Sequence, residues 1–249
     1  MQGKFVGIGI GPGDPELITI KAAKALKTAD IISIPKAHEN KDSFALSIVK
    51  DILKDRKQPH ELLELVFPMT KDENELEKQW NENARIIAEA TRAGKTVAFI
   101  TLGDPMFYST FIHLCKKMKK EHPDVKLEII PGVTSLTACA AVSKIPLAEK
   151  NEVVTIIPSG IDPNRIGEIS KYANSLVLMK GAKQLKRLVP VLEKSGFTKN
   201  STITVIRRCT LPEEKTVSGT LADVQNWDIA EDYFSISLIK QEENKKWKK

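Results

Sequence analysis

The chain has 249 residues, 41% of them apolar and 28% charged, an ordinary globular balance that excludes wholesale disorder and allows one large domain or two modest ones. No apolar run approaches the roughly 20 residues of a membrane-spanning helix, and the run 5–10 breaks at Gly11, Pro12 and Gly13 rather than reading as a secretory signal. The net charge is +6, but residues 240–249 carry five lysines against Glu242 and Glu243, and with 6% aromatics the expectation is a cytoplasmic protein that binds neither nucleic acid nor membrane.

In chain order, residues 4–10 read as a strand, 16–27 as a helix and 31–34 as a second strand. The apolar spacing predicts helices over 43–54 and 73–92, a buried strand over 96–101, a helix over 108–120 and a strand over 126–130. Beyond Pro131 come a helix 136–142, strand 153–157, helix 165–172, strand 176–179, helix 182–193 and strand 202–207. Two further strands, near Thr216 and over 233–239, have little helix between them and are expected to be antiparallel. This alternation predicts an α/β protein with mostly parallel sheets, in two domains, 1–125 and 126–249, the second carrying the antiparallel strands.

Three segments draw attention because each follows a strand directly. Gly7-Ile8-Gly9-Ile10-Gly11-Pro12-Gly13-Asp14-Pro15 fails the dinucleotide-binding spacing, since Pro12 or Asp14 falls where the third glycine belongs. Asp14 as N-cap and Pro15 at the first helical position make a capped strand-to-helix turn, yet so much Gly and Pro also suits a loop that lets a ligand approach backbone. In Thr101-Leu102-Gly103-Asp104-Pro105-Met106-Phe107-Tyr108, Gly103 permits close approach and Asp104 either accepts hydrogen bonds from a ligand or starts the next helix. Ile130-Pro131-Gly132-Val133-Thr134-Ser135-Leu136 repeats the pattern, with Thr134 or Ser135 as cap. Three loops at strand C-termini point to one shared crevice, the usual ligand edge of an open α/β sheet.

Cys115, Cys139 and Cys209 are too few and too dispersed for a disulfide framework or a zinc site, and His38, His60, His113 and His122 show no ligand spacing. All seven read as structural, and no metal site is implied.

Gly9-Ile10-Gly11-Pro12-Gly13-Asp14-Pro15-Glu16-Leu17-Ile18-Thr19, then Gly103-Asp104-Pro105, then Pro131-Gly132-Val133-Thr134-Ser135 resemble the ordered motif set of the tetrapyrrole methylases. The resemblance spans essentially the whole chain. Within the family it is most similar to the C20-methyltransferases of cobalamin synthesis, through residues 103–111, 33–36 and 43–45. The uroporphyrinogen methyltransferases carry a Tyr-Asp-Arg-Leu-type segment after the second strand. Ser33-Ile34-Pro35-Lys36 stands there in this chain, so that activity and the acid/base role of that Asp do not carry over.

The resemblance implies two α/β domains with a donor-binding cleft between them, a homodimer, and S-adenosylmethionine as methyl donor. By position, Pro12, Gly103, Asp104, Phe107, Thr134 and Ser135 would line the donor site, and Met179, Cys209 and Thr210 would cover the adenosine. It further implies methylation of C20 of a tetrapyrrole, either cobalt-factor II or metal-free precorrin-2. Another ring position, the protein substrate of diphthine synthase and a non-catalytic nucleotide-binding module are the rivals. No catalytic side chain is named. Because the substrate is a polycarboxylate, Lys36, Lys180, Arg207 and Arg208 are candidates to orient it. Arg207 and Arg208, as neighbours on a strand, would point to opposite faces, so that at most one reaches the ligand.

Overall fold

Neighbouring positions on each buried strand of the first half send their side chains into two different cores, so its sheet carries helices on both faces. The computed structural model describes residues 3–36, 43–68, 70, 72–180, 184–229 and 232–242, and the chain divides into two compact units, Met1–Thr134 and Ser135–Lys249.

The first unit is built on β1 (Lys4–Gly9), β2 (Ile31–Lys36), β3 (Glu61–Val66), β4 (Val97–Thr101) and β5 (Lys126–Ile130), in the order β3-β2-β4-β1-β5. All four pairings are parallel. Val6, Ile8, Ile32, Ile34, Ala98 and Ile100 bury one face beneath α1 (Ile20–Thr28) and α2 (Phe44–Lys54). Phe5, Ile31, Val97 and Phe99 bury the other beneath α3 (Glu73–Arg92) and α4 (Phe111–Glu121). At Gly7 an added Cβ would stand 2.2 Å from the Phe111 ring, which therefore fills the space of the missing side chain and ties the start of α4 to β1.

Three differences from the sequence reading have local causes. The helix expected over 16–27 is a single 3-10 turn, Pro15–Leu17, followed by α1: Ile18 is extended and buried, and two caps act in series, Asp14 on Glu16 N–H and Thr19 on Ala22 N–H. β3 was not expected; it is an edge strand in which Leu65 alone is buried, and its Glu-Leu-Leu-Glu-Leu-Val lacks a period-two pattern. The boundary lies after Thr134 rather than after residue 125, because β5 pairs with β1 from Lys4↔Lys126 to Ile8↔Ile130.

The second unit contains α5 (Ser135–Ser143), β6 (Val154–Ile157), α6 (Pro163–Ser170), β7 (Ser175–Met179), α7 (Leu185–Glu193), β8 (Thr202–Arg207), β9 (Lys215–Thr220) and β10 (Ser235–Lys240). Its strand order is β6-β7-β10-β8-β9. Only β6 and β7 pair in parallel, so the expectation of mostly parallel strands holds for the first sheet and not for this one. β9 and β10 are antiparallel to their neighbours, as expected, and β10 lies in the middle of the sheet. Leu176, Leu178, Ile203, Val205 and Ile239 cover one face together with Ile166 of α6 and Leu185, Leu188 and Leu192 of α7. Of the helix expected over 182–193, Ala182 and Lys183 lie outside the described residues, as do His38 and the lysines beyond Glu242. Among the described residues no helix is long and apolar enough to cross a membrane.

Candidate functional site

Because β4, β1 and β5 are adjacent and parallel, the three Gly-containing loops leave the first sheet at one edge and meet there. Gly103 N–H donates to Gly11 O at 2.8 Å, and both glycines are left-handed, with φ of 65° and 78°. Asp104 Oδ2 accepts from Gly132 N–H at 3.0 Å, while its Oδ1 accepts from Met106 N–H at 2.8 Å. The carboxylate expected to receive a ligand therefore fastens two of the loops together, and each of its oxygens keeps further acceptor capacity.

The glycines divide into two roles. A Cβ on Gly132 would lie 2.1 Å from Gly103 O, and one on Gly9 would lie 2.5 Å from the same atom, so these positions serve loop-to-loop packing. A Cβ on Gly103 would meet nothing closer than Thr134 Cα and Val133 O at 3.9 Å. Gly103 thus leaves a stretch of backbone open to a ligand, with Thr134 beside it. Pro12 and Phe107 are half-buried on the same loops.

After Asp104 the chain does not enter a helix at 108, as expected, but at Phe111, because Tyr108 is left-handed with φ 49°. Phe107 N–H reaches Asp104 O at 3.3 Å, and the Phe107 ring meets Tyr108 edge-on, with centroids 4.8 Å apart at 77°. The hydroxyls of Thr101 and Ser109 are 2.9 Å apart, and Ser109 Oγ also accepts from Phe111 N–H at 3.2 Å. The Thr101–Ser109 pair and the left-handed Tyr108 have no sequence signal beyond a polar residue at each end of the loop.

In the second unit, β7 and β8 both run antiparallel to β10, so their C-terminal ends share one edge. Met179, Arg207, Arg208, Cys209 and Thr210 are all placed there. Ser135 opens α5, which packs against β8 and β10. Cys139 of α5 shares a hydrogen bond with Cys209; that bond and burial push the Cys139 thiol up, whereas the same bond holds Cys209 down. Cys209 thus turns its sulfur to α5. Thr210 is left-handed at φ 66°, a strained state for a β-branched residue, and its N–H donates to Glu214 Oε2 at 2.7 Å. Glu214 went unnoticed in the sequence because the turn that brings it back onto Thr210, closed by its own N–H to Leu211 O at 2.9 Å, carries no motif.

The basic candidates have acquired protein partners. Lys36 Nζ lies 2.7 Å from Glu64 Oε1, with its side chain 12% exposed. Lys180 packs its ammonium 3.7 Å from the centroid of the Tyr233 ring and donates to the Tyr233 hydroxyl. Arg208 is not on a strand, contrary to expectation: it follows β8 with φ 50°, and its Nε donates to Asp232 Oδ2 at 2.8 Å. Arg207, the last residue of β8, is half-buried opposite Ser235. Among the described residues no cluster of His, Cys, Asp and Glu could hold a metal ion. His113 stacks on Trp80 at 4.3 Å, while Cys115 is buried in the core beneath α4.

The family described as Tetrapyrrole (Corrin/Porphyrin) Methylases matches residues 4–225. The chain is 36% identical over 241 residues to a "Probable cobalt-precorrin-2 C(20)-methyltransferase" of Methanocaldococcus jannaschii, covering 96% of each. It is 37% identical over 247 residues to the "Cobalt-precorrin-2 C(20)-methyltransferase" of Salmonella typhimurium, covering 99% of this chain and 98% of that one. A solved structure, the uroporphyrin-III C-methyltransferase of Thermus thermophilus complexed with S-adenyl homocysteine, shares the fold at a TM-score of 0.68 and 21% identity, over 96% of this chain and 92% of that one.

Proposed function

The chain belongs to the tetrapyrrole methylase family, and from that premise we propose that it transfers a methyl group from S-adenosylmethionine to C20 of precorrin-2 or its cobalt-bearing counterpart in cobalamin synthesis. The observation that carries the acceptor and the ring position is the 37% identity over 99% of the chain to a cobalt-precorrin-2 C(20)-methyltransferase. The donor reading is supported by the backbone left open at Gly103, which is the kind of surface a folded nucleoside can press against.

When bound, S-adenosylmethionine supplies an electrophilic methyl on a sulfonium. The acceptor carbon belongs to an electron-rich conjugated ring, so the chain's task is chiefly to align the reactants, and alignment of this kind contributes on the order of 7–11 kcal/mol. In the first unit Gly103 and Thr134 would receive the donor, while Asp104 holds the loops of Gly103 and Gly132 in register. Pro12 and Phe107 would flank it. In the second unit Ser135, Met179, Cys209 and Thr210 are its proposed contacts, Cys209 through backbone. Dispersal of the sulfonium charge as the methyl leaves is favoured where water is excluded. Arg207, Lys36 and Arg208 are the proposed contacts for the substrate carboxylates; Lys36 pairs with Glu64, Arg208 with Asp232, and the charge of Arg207 also acts on Asp232. The reading includes a homodimer in the cytoplasm, checked by sedimentation and cell fractionation.

The test is methyl transfer from labelled S-adenosylmethionine to precorrin-2 and to cobalt-factor II, with the product analysed by mass and NMR. One added methyl at C20 is expected. Tight donor binding with no transfer to either acceptor would instead make the chain a non-catalytic nucleotide-binding module.

A further inference from the structure

We infer that Met106, Phe107 and Tyr108 form a shelf on which the flat face of the tetrapyrrole rests, with the Tyr108 ring as its stacking surface. The inference rests on the methyltransferase reading and deepens it by assigning the residues that meet the pigment's π face.

Strain is the starting observation. Among the described non-glycine residues with positive φ, Tyr108 is the sole aromatic, and a bulky side chain in that region is held there at a cost in stability. The loop is over-determined on both sides of it. Asp104 accepts from Met106 N–H through its carboxylate and from Phe107 N–H through its carbonyl. Ser109 is held by Thr101, and its oxygen in turn receives Phe111 N–H, while the Phe111 ring is seated against Gly7. With both flanks fastened, residue 108 has little freedom to relax.

The strain yields no burial. Tyr108 remains 54% exposed and Met106 50% exposed, and the Phe107 ring meets Tyr108 edge-on. Other tyrosines are exposed as well, but Tyr233 covers the Lys180 ammonium and Tyr172 has an ordinary backbone. Tyr108 combines forced geometry, a bared ring and a place on the Gly103–Asp104 loop. A thioether beside two aromatic rings suits a large flat conjugated ligand whose charges lie at its rim, since stacking engages the π face and leaves the carboxylates outward.

The experiment compares wild type, Tyr108→Asn and Tyr108→Phe. Asparagine tolerates the left-handed backbone, so the Asn variant loses the ring without forcing the loop to move. Binding of cobalt-factor II is followed by its visible spectrum, and binding of S-adenosylhomocysteine by calorimetry. For Tyr108→Asn a roughly tenfold weaker Kd and higher KM for the pigment are expected, in line with loss of one aromatic stacking partner. S-adenosylhomocysteine should bind within about twofold of wild type, and Tyr108→Phe should match wild type throughout. Wild-type pigment affinity in the Asn variant would overturn the shelf, as would equal losses of pigment and S-adenosylhomocysteine, or a Phe variant as impaired as Asn. If wild type binds the pigment and methylates a carbon other than C20, the acceptor position falls and the shelf stands. If wild type binds no pigment, both fall.

Discussion

Replacing Gly103 and Gly132 separately by alanine distinguishes a glycine kept for a ligand from one kept for packing. At Gly103 the added methyl meets its nearest atoms at 3.9 Å, so no steric cost arises, and the penalty is that of alanine at φ 65°. That penalty is about 1–2 kcal/mol, offset by about 0.4–1 kcal/mol from the lower entropy of the unfolded chain. The net loss of about 1 kcal/mol lowers the melting temperature by about 2–4 °C for a chain of this size. At Gly132 the methyl would lie 2.1 Å from Gly103 O and 2.8 Å from two backbone atoms of Gly9, none of which can swing aside. Overpacking of that kind costs about 1–3 kcal/mol or more and also strains the Asp104 bond to Gly132 N–H. The assay pairs thermal unfolding with calorimetric titration of S-adenosylhomocysteine. Gly103→Ala is expected to melt close to wild type yet lose at least about tenfold in affinity, because its methyl occupies the surface offered to the donor. Gly132→Ala is expected to melt well below both. Wild-type affinity in Gly103→Ala, or a melting loss there equal to that of Gly132→Ala, would refute the division of roles.

Two further outcomes follow from the charges. The Arg92 guanidinium holds the Asp124 carboxyl at about 2, below its unfolded value, so this exposed pair stabilises the fold above about pH 4 and the contribution fades as pH falls toward 2. The difference in urea midpoint between wild type and Asp124→Asn should accordingly be small at neutral pH and vanish in acid. Arg207→Glu should raise KM for the tetrapyrrole with donor affinity unchanged, whereas Arg208→Ala, which removes the ion pair to Asp232, should chiefly lower stability; an effect on KM from Arg208 alone would reverse the assignment.

Much of the frame was legible from local pattern. The helix over 73–92 appears with the bounds that apolar spacing suggests, its buried Ala84, Ile87, Ala88 and Thr91 lying three and four residues apart, and the strand over 126–130 appears with the bounds that its flanking residues suggest, although Ile130 is its single buried residue. What was lost depends on distant partners. Leu65 is the single buried residue of β3, so burial leaves almost no trace in that strand's composition. Asp14 signals a helix start, but the sequence alone could not weigh it against the second cap at Thr19, five residues on. At the site, the convergence of three loops was readable from their positions after strands. The closeness of Gly9, Gly103 and Gly132 was not, nor was the capture of Lys36 by Glu64 and of Arg208 by Asp232, since strand order and cross-strand neighbours are properties of the folded sheet.

The central position of β10 bears on how the protein is made. All strands of the first sheet have left the ribosome once residue 130 is out, whereas β7 and β8 must wait for residues 235–240 before either gains the neighbour between them. Until then each presents an unpaired edge to other nascent chains. A premature stop shortly before residue 235 would remove the middle of that sheet rather than trim its rim, leaving a product prone to aggregate and rich in one intact half.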